Sequence, residues 1–434
     1  MLGSLVPLTA QERPLSLAEA ITEAEGGGLD VRVARAQARA AREGVAAAAS
    51  FRWPTVGLEA GAVRSTDPVA AFGGRLRQGR VTEADFDPSR LNHPEALTDW
   101  SAAVGAVWAP LDFSAEASLR AASREASAAE LGSEWAVRAA EFRVEARYLE
   151  AVGAERRLQA ASAALLASEE NARLVELRRG EGMLTDADAM QARAAAEGAR
   201  ARRIQVERSV ADARERLAVA MGWPEGVTPI PTDTVFELRT PAASGPVESR
   251  TDLLASEESV LAAEARVAQA RRARLPVVEG FVRLETHSAD AFSGMEEDWT
   301  VGFQIRVPLF TGFAVTARER AATAMREAAG RAHDLRVREA QAELAEARRA
   351  VETAELGLGA ATSAADAAAE AARLMRRRFE EGLTTTADLL SVEARAAEFA
   401  TQAVNARLGL HLMVARLAFL TDTNHDDLDR GLNR

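Results

Sequence analysis

The sequence predicts a mainly α-helical chain built on long coiled-coil helices, interrupted by two pairs of strands of membrane-crossing length. Three observations carry this reading. The first is composition: 47% of the 434 residues are hydrophobic but only 5% are aromatic. Much of the apolar share is Ala, which buries little area per residue, so a large globular core is not expected. Chains rich in Ala, Arg, Glu and Leu form long, closely packed helices. The second observation is a heptad: Val337, Leu344, Val351 and Leu358 recur every seven residues, with Ala340, Ala347, Ala354 and Ala361 three residues after each. That is a coiled-coil seam with a large residue at one position and a small one at the other. The third is an internal repeat, in which Gly182-Met-Leu-Thr-Asp-Ala-Asp188 returns 200 residues later as Gly382-Leu-Thr-Thr-Thr-Ala-Asp388. Repeats of this kind organise a fold before any local signal does.

The elements follow in chain order. Residues 1–14 form an N-terminal segment, either a signal remnant or an ordinary start; Met1–Gln11 lacks the charged beginning and long apolar run of a complete secretory signal. The first copy of the repeat occupies 15–221. It opens with helices near Ser16–Ala24 and Leu29–Ala49, separated by the break at Gly26-Gly-Gly28. Strands follow at about 53–64 and 99–111, the second with Trp100, Val104 and Trp108 alternating against Ser101, Ala103 and Gly105. Between them Thr66–Thr98 reads as a long polar loop. From Phe113 to Arg179 no Pro interrupts the chain, and at ~1.5 Å per residue this helix runs roughly 100 Å. Its seam is looser than the one above, with Val137, Val144, Ala151, Leu158 and Leu165 partnered by Ala140, Ala154 and Ala161. A tip at 180–186 and a return helix to Met221 complete the copy. Residues 222–248, beginning Gly222-Trp-Pro-Glu-Gly, read as a linker.

The second copy, 249–420, repeats the plan: a helix at Thr251–Ala273, strands at about 275–287 and 298–309, a long helix to Glu381, a tip at 380–386 and a return helix. A tail occupies 421–434. Trp299, Val301, Phe303, Ile305 and Val307 alternate with Thr300, Gln304 and Arg306, about ten residues, which crosses a bilayer when tilted. No run of eighteen apolar residues occurs, which argues against a transmembrane helix and leaves a membrane β-barrel open.

Charge and residue usage exclude several functions. The net charge of −12 argues against nucleic acid as a partner, since phosphate neutralisation needs basic excess. With no Cys, disulfides, thiolate metal sites and Cys nucleophiles are excluded. The five His (His93, His287, His333, His411 and His425) form no metal-ligand spacing. No nucleophile elbow, phosphate-binding loop or dinucleotide glycine pattern is present, so neither enzyme activity nor a cofactor is expected. Acidic residues interleave with Arg on solvated helix faces.

The duplicated helix–hairpin–helix unit, the Pro110-Leu-Asp-Phe113 and Pro308-Leu-Phe-Thr-Gly312 strand ends, and the twin Gly-x-x-x-x-Ala-Asp tips together resemble the TolC-like outer-membrane efflux protein family, over about Leu15–Thr421. The resemblance implies long coiled-coil helices in a periplasmic α-barrel, plus four strands per protomer in a shared trimeric twelve-stranded β-barrel. It implies a homotrimer in outer-membrane lipid, extending into the periplasm. Such a trimer is the exit duct of a tripartite efflux or type I secretion system, joined to a periplasmic adaptor protein and through it to an inner-membrane transporter. Without Cys the acylated branch of the family is not matched, and anchoring is expected to rest on the barrel. Thr300, Gln304 and Arg306 are then expected to face the lumen, and Val301, Phe303 and Ile305 the lipid. The adaptor would meet Gly182, Met183, Leu184 and Thr185 at one tip and Gly382, Leu383, Thr384 and Thr385 at the other.

The resemblance also implies a gate at the periplasmic tips. Asp388 matches one acidic ring of the family's constriction, while Ser391 stands where a second would be. Where some members lock through a Tyr and an Arg reaching an Asp of the first tip, this chain has Phe379 and Thr384 opposite Asp188, with Arg376, Arg377 or Arg378 as substitutes. The reading from another class is a soluble helical coiled-coil scaffold whose strands form a small sheet. Transported substrate is open between drug, solvent, metal and protein.

Overall fold

The structure, a computed structural model, describes residues 11–233, 249–291 and 295–421. The described chain divides into two compact units. One is helical and contains residues up to 38, 128–256 and 332 onwards; the other contains 39–127 and 257–331 and holds the larger sheet.

In the helical unit, α1 (Leu17–Gly27) starts at Ser16, whose hydroxyl accepts from the Glu19 amide while Glu19 reaches back to the Ser16 amide, a reciprocal cap. Helix α2 (Leu29–Ala49) resumes directly after Gly28. The two long helices are α5 (Phe113–Gly180) and α8 (Ala314–Glu380), and their return legs α6 (Asp186–Met221) and α9 (Thr386–Leu420) are about half as long. The heptads do the packing. Leu344, Ala347 and Val351 of α8 bury against Leu410, Val414, Leu417 and Leu420 of α9. Val144, Ala151 and Ala154 of α5 bury with Leu15, Ala20 and Ala24 and with Val210, Ala213, Leu217 and Met221 of α6. Small residues set the spacing: a Cβ on Gly153 would lie 2.6 Å from the Leu408 side chain, so α5 and α9 touch there through a missing methyl group. Helix α9 is long and apolar enough to cross a membrane by length and composition, so the absence of an unbroken apolar run did not settle that point. Its apolar stripe is instead the seam against α8.

Two strands lie where the sequence suggested only a leading segment and a linker. β1 (Gln11–Leu15) pairs in parallel with β4 (Val227–Pro231). Each is five residues long and broken by Pro14, Pro229 or Pro231, which remove ladder donors and confine such strands to a narrow ribbon. No alternation could announce them. Tyr148, the only tyrosine, fastens this ribbon to α5: its hydroxyl lies 2.6 Å from the Asp233 carboxylate and 3.0 Å from the Leu15 carbonyl, and Asp233 also accepts from the Leu17 amide at 2.7 Å. Burial pushes the Tyr148 phenol well above its ordinary range, so it stays protonated. Residues 1–10, the linker remainder 234–248 and the tail 422–434 lie outside the described residues.

In the other unit, the part of α7 (Thr251–Arg272) from residue 257 on lies beside the parts of α5 and α8 that belong to the same unit, 113–127 and 314–331, through exposed ion pairs, Arg124–Glu258 at 3.0 Å and Arg326–Glu264 at 2.8 Å among them. Pairs this wet contribute little individually. The sheet has four antiparallel strands, β2 (Thr55–Ser65), β3 (Leu97–Leu111), β5 (Val277–Ser288) and β6 (Glu296–Arg306), in that order. Thus β3 of the first copy pairs with β5 of the second, and β2 and β6 are the two edges. A bulge between Trp108 and Leu111 skips Pro110, which has no amide to donate. The stretch 66–98 is not a plain loop. It carries α3 (Pro68–Arg77), a 3-10 turn at Glu83–Phe86 and α4 (Pro88–Asn92), with Asp67-Pro68 and Asp87-Pro88 as cap-plus-first-turn pairs.

Tyr148→Phe removes the hydroxyl that bridges α5 to the β1–β4 ribbon and leaves Asp233 short of a donor. The expected loss is about 1–3 kcal/mol of stability, with amide exchange speeding up first in β1 and β4 when followed by hydrogen–deuterium exchange.

Candidate functional site

Two places concentrate residues that neither helix seams nor turns account for: the faces of the four-stranded sheet, and the tips where α5 meets α6 and α8 meets α9.

Cross-strand partners in an antiparallel sheet share a face, so the registers assign every side chain. On one face lie Val56 and Leu58 of β2, Trp100, Val104 and Trp108 of β3, Val278, Val282 and Leu284 of β5, and Trp299, Val301, Phe303 and Ile305 of β6. At the end where β2 leads into β3 and β5 into β6 the same face carries Arg64, Thr98, Thr286 and Glu297; over the rest of its length it is apolar from edge to edge and uncovered, Phe303 being 77% exposed and Leu58 74%. A soluble antiparallel sheet turns its apolar face inward. The other face carries Glu59, Asp99, Glu279, Arg283, Glu285, His287, Thr300, Gln304 and Arg306. There Gln304 donates to Glu279 at 2.7 Å and Arg306 pairs with the same carboxylate at 2.9 Å. Arg283 bridges Glu285 on its own strand and Glu59 on β2, at 2.8 and 3.2 Å. Thr300, Gln304 and Arg306 therefore share the polar face, and Val301, Phe303 and Ile305 the apolar one.

At one end the polar side is overlaid by the segment between β2 and β3. Gln78, buried at the end of α3, donates to the Asp99 carboxylate at 2.8 Å and to the Thr98 carbonyl at 3.0 Å. The same Asp99 takes His287 Nδ1 at 2.9 Å.

Each tip is closed by a glycine in the left-handed region, Gly182 with φ 79° and Gly382 with φ 76°. Met183 and Leu383 then return their amides to the carbonyls of Arg178 and Arg378 at 2.9 and 2.8 Å, and this helix ending favours glycine. The next helix starts at a threonine: Thr185 Oγ1 donates to Asp188 at 2.6 Å and Thr385 Oγ1 to Asp388 at 2.7 Å. These hydroxyls, followed by the backbone amides, hold both carboxyls below the ordinary aspartate range. A lowered folded-state value means the contribution is fully present above the ordinary range and disappears only as pH falls through the lowered value. Both are charged at neutral pH. Thr384 is half-buried, its hydroxyl 3.4 Å from both Met375 Sδ and Asp388, and Ser391 is exposed. Met183 and Leu383 stand out into solvent.

The residues that tie the two tips together are mostly not those the sequence singled out. Phe379 is buried in a small core with Val175, Ala189, Ala192 and Leu389, two residues from α6 and one each from α5, α8 and α9. Arg178 of the first tip stacks its guanidinium 5.0 Å over the Phe379 ring and donates to the carbonyls of Phe379 and Glu380. Buried Asn171 of α5 donates to Glu393 of α9, and Arg376 of α8 takes the other Glu393 oxygen at 2.6 Å. Of the three candidate arginines, Arg376 is the one that enters this tie. Asn171, Arg178 and Glu393 carried no signal beyond helix-surface polarity.

The sequence pattern of the family described as outer membrane efflux protein matches residues 20–223 and 247–422. Outer membrane protein OprJ of Pseudomonas aeruginosa is 28% identical over 266 residues, which cover 58% of this chain and 56% of that protein. The chain thus spans a little over half the length of that relative. A membrane protein from Pseudomonas aeruginosa superposes with a TM-score of 0.81 at 22% identity, over 93% of this chain and 92% of that one. The CmeC outer membrane channel of Campylobacter jejuni superposes with the same score at 17% identity, over 96% and 88%. At such identities the likeness establishes the fold: long helices in an α-barrel arrangement with strands of a β-barrel.

Glu393→Ala leaves Asn171 buried without its acceptor and frees Arg376. The tips are expected to lose roughly 1–3 kcal/mol, with faster amide exchange confined to the ends of α5 and α8 and the start of α9, and the heptad seams unchanged.

Proposed function

The chain belongs to the outer membrane efflux protein family, and from that premise we propose that three copies form the outer-membrane exit duct of a tripartite efflux or type I secretion system. The duct is a passive conduit. A periplasmic adaptor meets its tips, and an inner-membrane transporter drives substrate into it through that adaptor.

The observation that carries this reading is the uncovered apolar face of the sheet. In water, side chains such as Leu58, Trp299, Val301 and Phe303 would form a single hydrophobic patch far larger than monomers expose. A soluble scaffold therefore leaves this face without a role, whereas hydrocarbon satisfies it. Lipid in turn forbids free edges, because an unpaired amide or carbonyl has no water to bond there. Four strands are too few to close on themselves, since barrels begin at eight. The strands alternate in direction, so β6 of one copy can meet β2 of the next antiparallel and remove both edges. The polar face then lines a water-filled lumen, with Thr300, Gln304, Arg306 and the Glu279 and Arg283 networks along the wall.

Gating follows from the tip. The two hairpins, α5–α6 and α8–α9, are held together by the shared core around Phe379 and by two polar ties, Arg178 to the Phe379 and Glu380 carbonyls and Asn171–Glu393–Arg376. Widening the tip needs these to part. Adaptor contact at Gly182, Met183, Leu184 and Thr185 and at Gly382, Leu383, Thr384 and Thr385 acts on the turns adjoining those ties, with Met183 and Leu383 as exposed apolar contacts. Asp388, exposed and ionised, contributes one acidic ring in the trimer, with Ser391 a turn beyond and Asp188 in the first tip.

Phe303→Arg near the bilayer midplane is expected to cost about 2–4 kcal/mol, and Gln304→Arg, one residue away on the polar face, to be tolerated; unfolding titrations of the barrel in lipid compare them. The duct itself is tested by single-channel recording in a planar bilayer. Low, cation-selective conductance is expected, blocked by multivalent cations from the periplasmic side. Asp388→Asn is expected to weaken block and selectivity while the trimer persists, and unchanged selectivity would remove Asp388 from the gate.

A further inference from the structure

The segment between β2 and β3 is braced as a body of its own. Asp67 and Asp87 cap α3 and α4, Thr82 and Asp85 cap the 3-10 turn between them reciprocally, and Arg75 of α3 pairs with the same Asp85. The Phe72 and Phe86 rings meet edge to face at 5.6 Å. This body lies on the polar side of the sheet, at the end opposite to where β3 and β6 lead into α5 and α8. Two glycines let it lie close. A Cβ on Gly74 would come 2.5 Å from the Leu97 side chain of β3, and one on Gly79, whose φ is 63°, 3.2 Å from the Glu296 carboxylate of β6.

Among the described residues, Gln78 fastens the body to the sheet. It is 4% exposed, and its amide group has two hydrogens to give to three nearby acceptors. These are the Asp99 carboxylate at 2.8 Å, the Thr98 carbonyl at 3.0 Å and the Ser288 carbonyl at 3.3 Å. His287 Nδ1 holds the same Asp99 at 2.9 Å. The seat is not fully matched, however. Among the described residues Gln78 Oε1 and His287 Nε2 are enclosed without a hydrogen-bond partner, and enclosed polar atoms of that kind oppose the state that encloses them. A braced body held by one amide, over a seat that penalises its own closure, is poised to lift.

We propose that residues 66–98 form a movable lid over the outer mouth of the lumen, with Gln78 as its latch; this rests on the barrel reading above. Three lids, one per copy, narrow the outer end of the duct independently of the tips. Small solutes pass beside them, and bulky cargo needs them lifted.

The chain has no cysteine, so Thr300→Cys gives a lone thiol on the polar face, four residues deeper along β6 than Glu296. The full chain carrying it, in the outer membrane of intact cells, is treated from outside with a small charged maleimide and with a polymer-linked one. The thiol is expected to react readily with the small reagent and several-fold more slowly with the polymer. Adding Gln78→Leu, which keeps the bulk and removes the donors, is expected to raise the polymer rate several-fold and leave the small-reagent rate alone. Excising 68–92 for a Gly-Ser bridge is expected to do at least as much. An unchanged polymer rate after excision means that the segment does not cover the lumen, and a rise on excision but not with Gln78→Leu means that Gln78 is no latch; either overturns the proposal. If the Leu variant does not assemble, Gln78→Glu, which sets a carboxylate against Asp99, replaces it under the same criterion. Phe303→Cys, on the lipid face, is expected to resist the small reagent. Reaction there as fast as at Thr300 overturns the barrel reading and the lid with it.

Discussion

A sheet that is apolar on one face from β2 to β6, and charged on the other, has to lie between two solvents. The described residues leave the apolar face bare, and the registers allow no rearrangement, because a slip of one residue would send Glu279, Arg283 and Arg306 to the apolar side. Lipid on one side and water on the other is the arrangement that suits both faces at once. The proposed assembly rests on that: closed edges, since lipid tolerates no free backbone groups, and more than one copy, since four strands cannot close alone. The chain's two-copy organisation serves the same end. Pairing β3 with β5 joins the repeats in the middle of the sheet and leaves one strand of each at an edge.

The helical unit meets a different demand, a wall made of many closely spaced helices with little bulk. Alanine at every second seam position of α8 and glycine at 153 opposite Leu408 allow that spacing. The seam alone would hold the hairpins in any opening state. At the tips the packing changes character: a small core around Phe379 is supplemented by the buried Asn171 and the part-buried Glu393, which bond across hairpins. A purely apolar joint would be indifferent to small shifts, whereas a hydrogen-bonded one has a defined closed geometry and a definite cost of parting. That is the property the proposed gate requires.

Much of this was legible in residues. Alternation in Trp299–Val307 and Trp100–Trp108 gave the strands and their faces, because a period of two survives whatever the tertiary context. Repeated Gly-x-x-x-x-Ala-Asp gave both tips, because a left-handed glycine and a helix start leave a fixed spacing. The β1–β4 ribbon was invisible, being two five-residue, proline-bearing strands more than 200 residues apart with no local pattern. The helices inside 66–98 did leave a signal in Asp67-Pro68 and Asp87-Pro88, outweighed in the reading by the segment's polarity. The tip ties could not be found at all. Asn171, Arg178 and Glu393 look like any solvated helix residues, and only the relative rotation of α5, α8 and α9 selects them from dozens of others.

The central claim is that copies join edge to edge, β6 of one to β2 of the next. Within one chain these strands are on opposite edges of the sheet, so any covalent link between them must connect two molecules. Gly57 and Gly61 on β2 have open space where a side chain would go, and Thr300 and Gln304 on β6 share their polar face. Double variants combining Gly57→Cys or Gly61→Cys with Thr300→Cys or Gln304→Cys, oxidised in the membrane and run on denaturing gels, measure the junction directly. The account predicts that at least one pairing produces a disulfide ladder that ends at three copies. Absence of any link in all four pairings, or a ladder that runs on without limit, would contradict it.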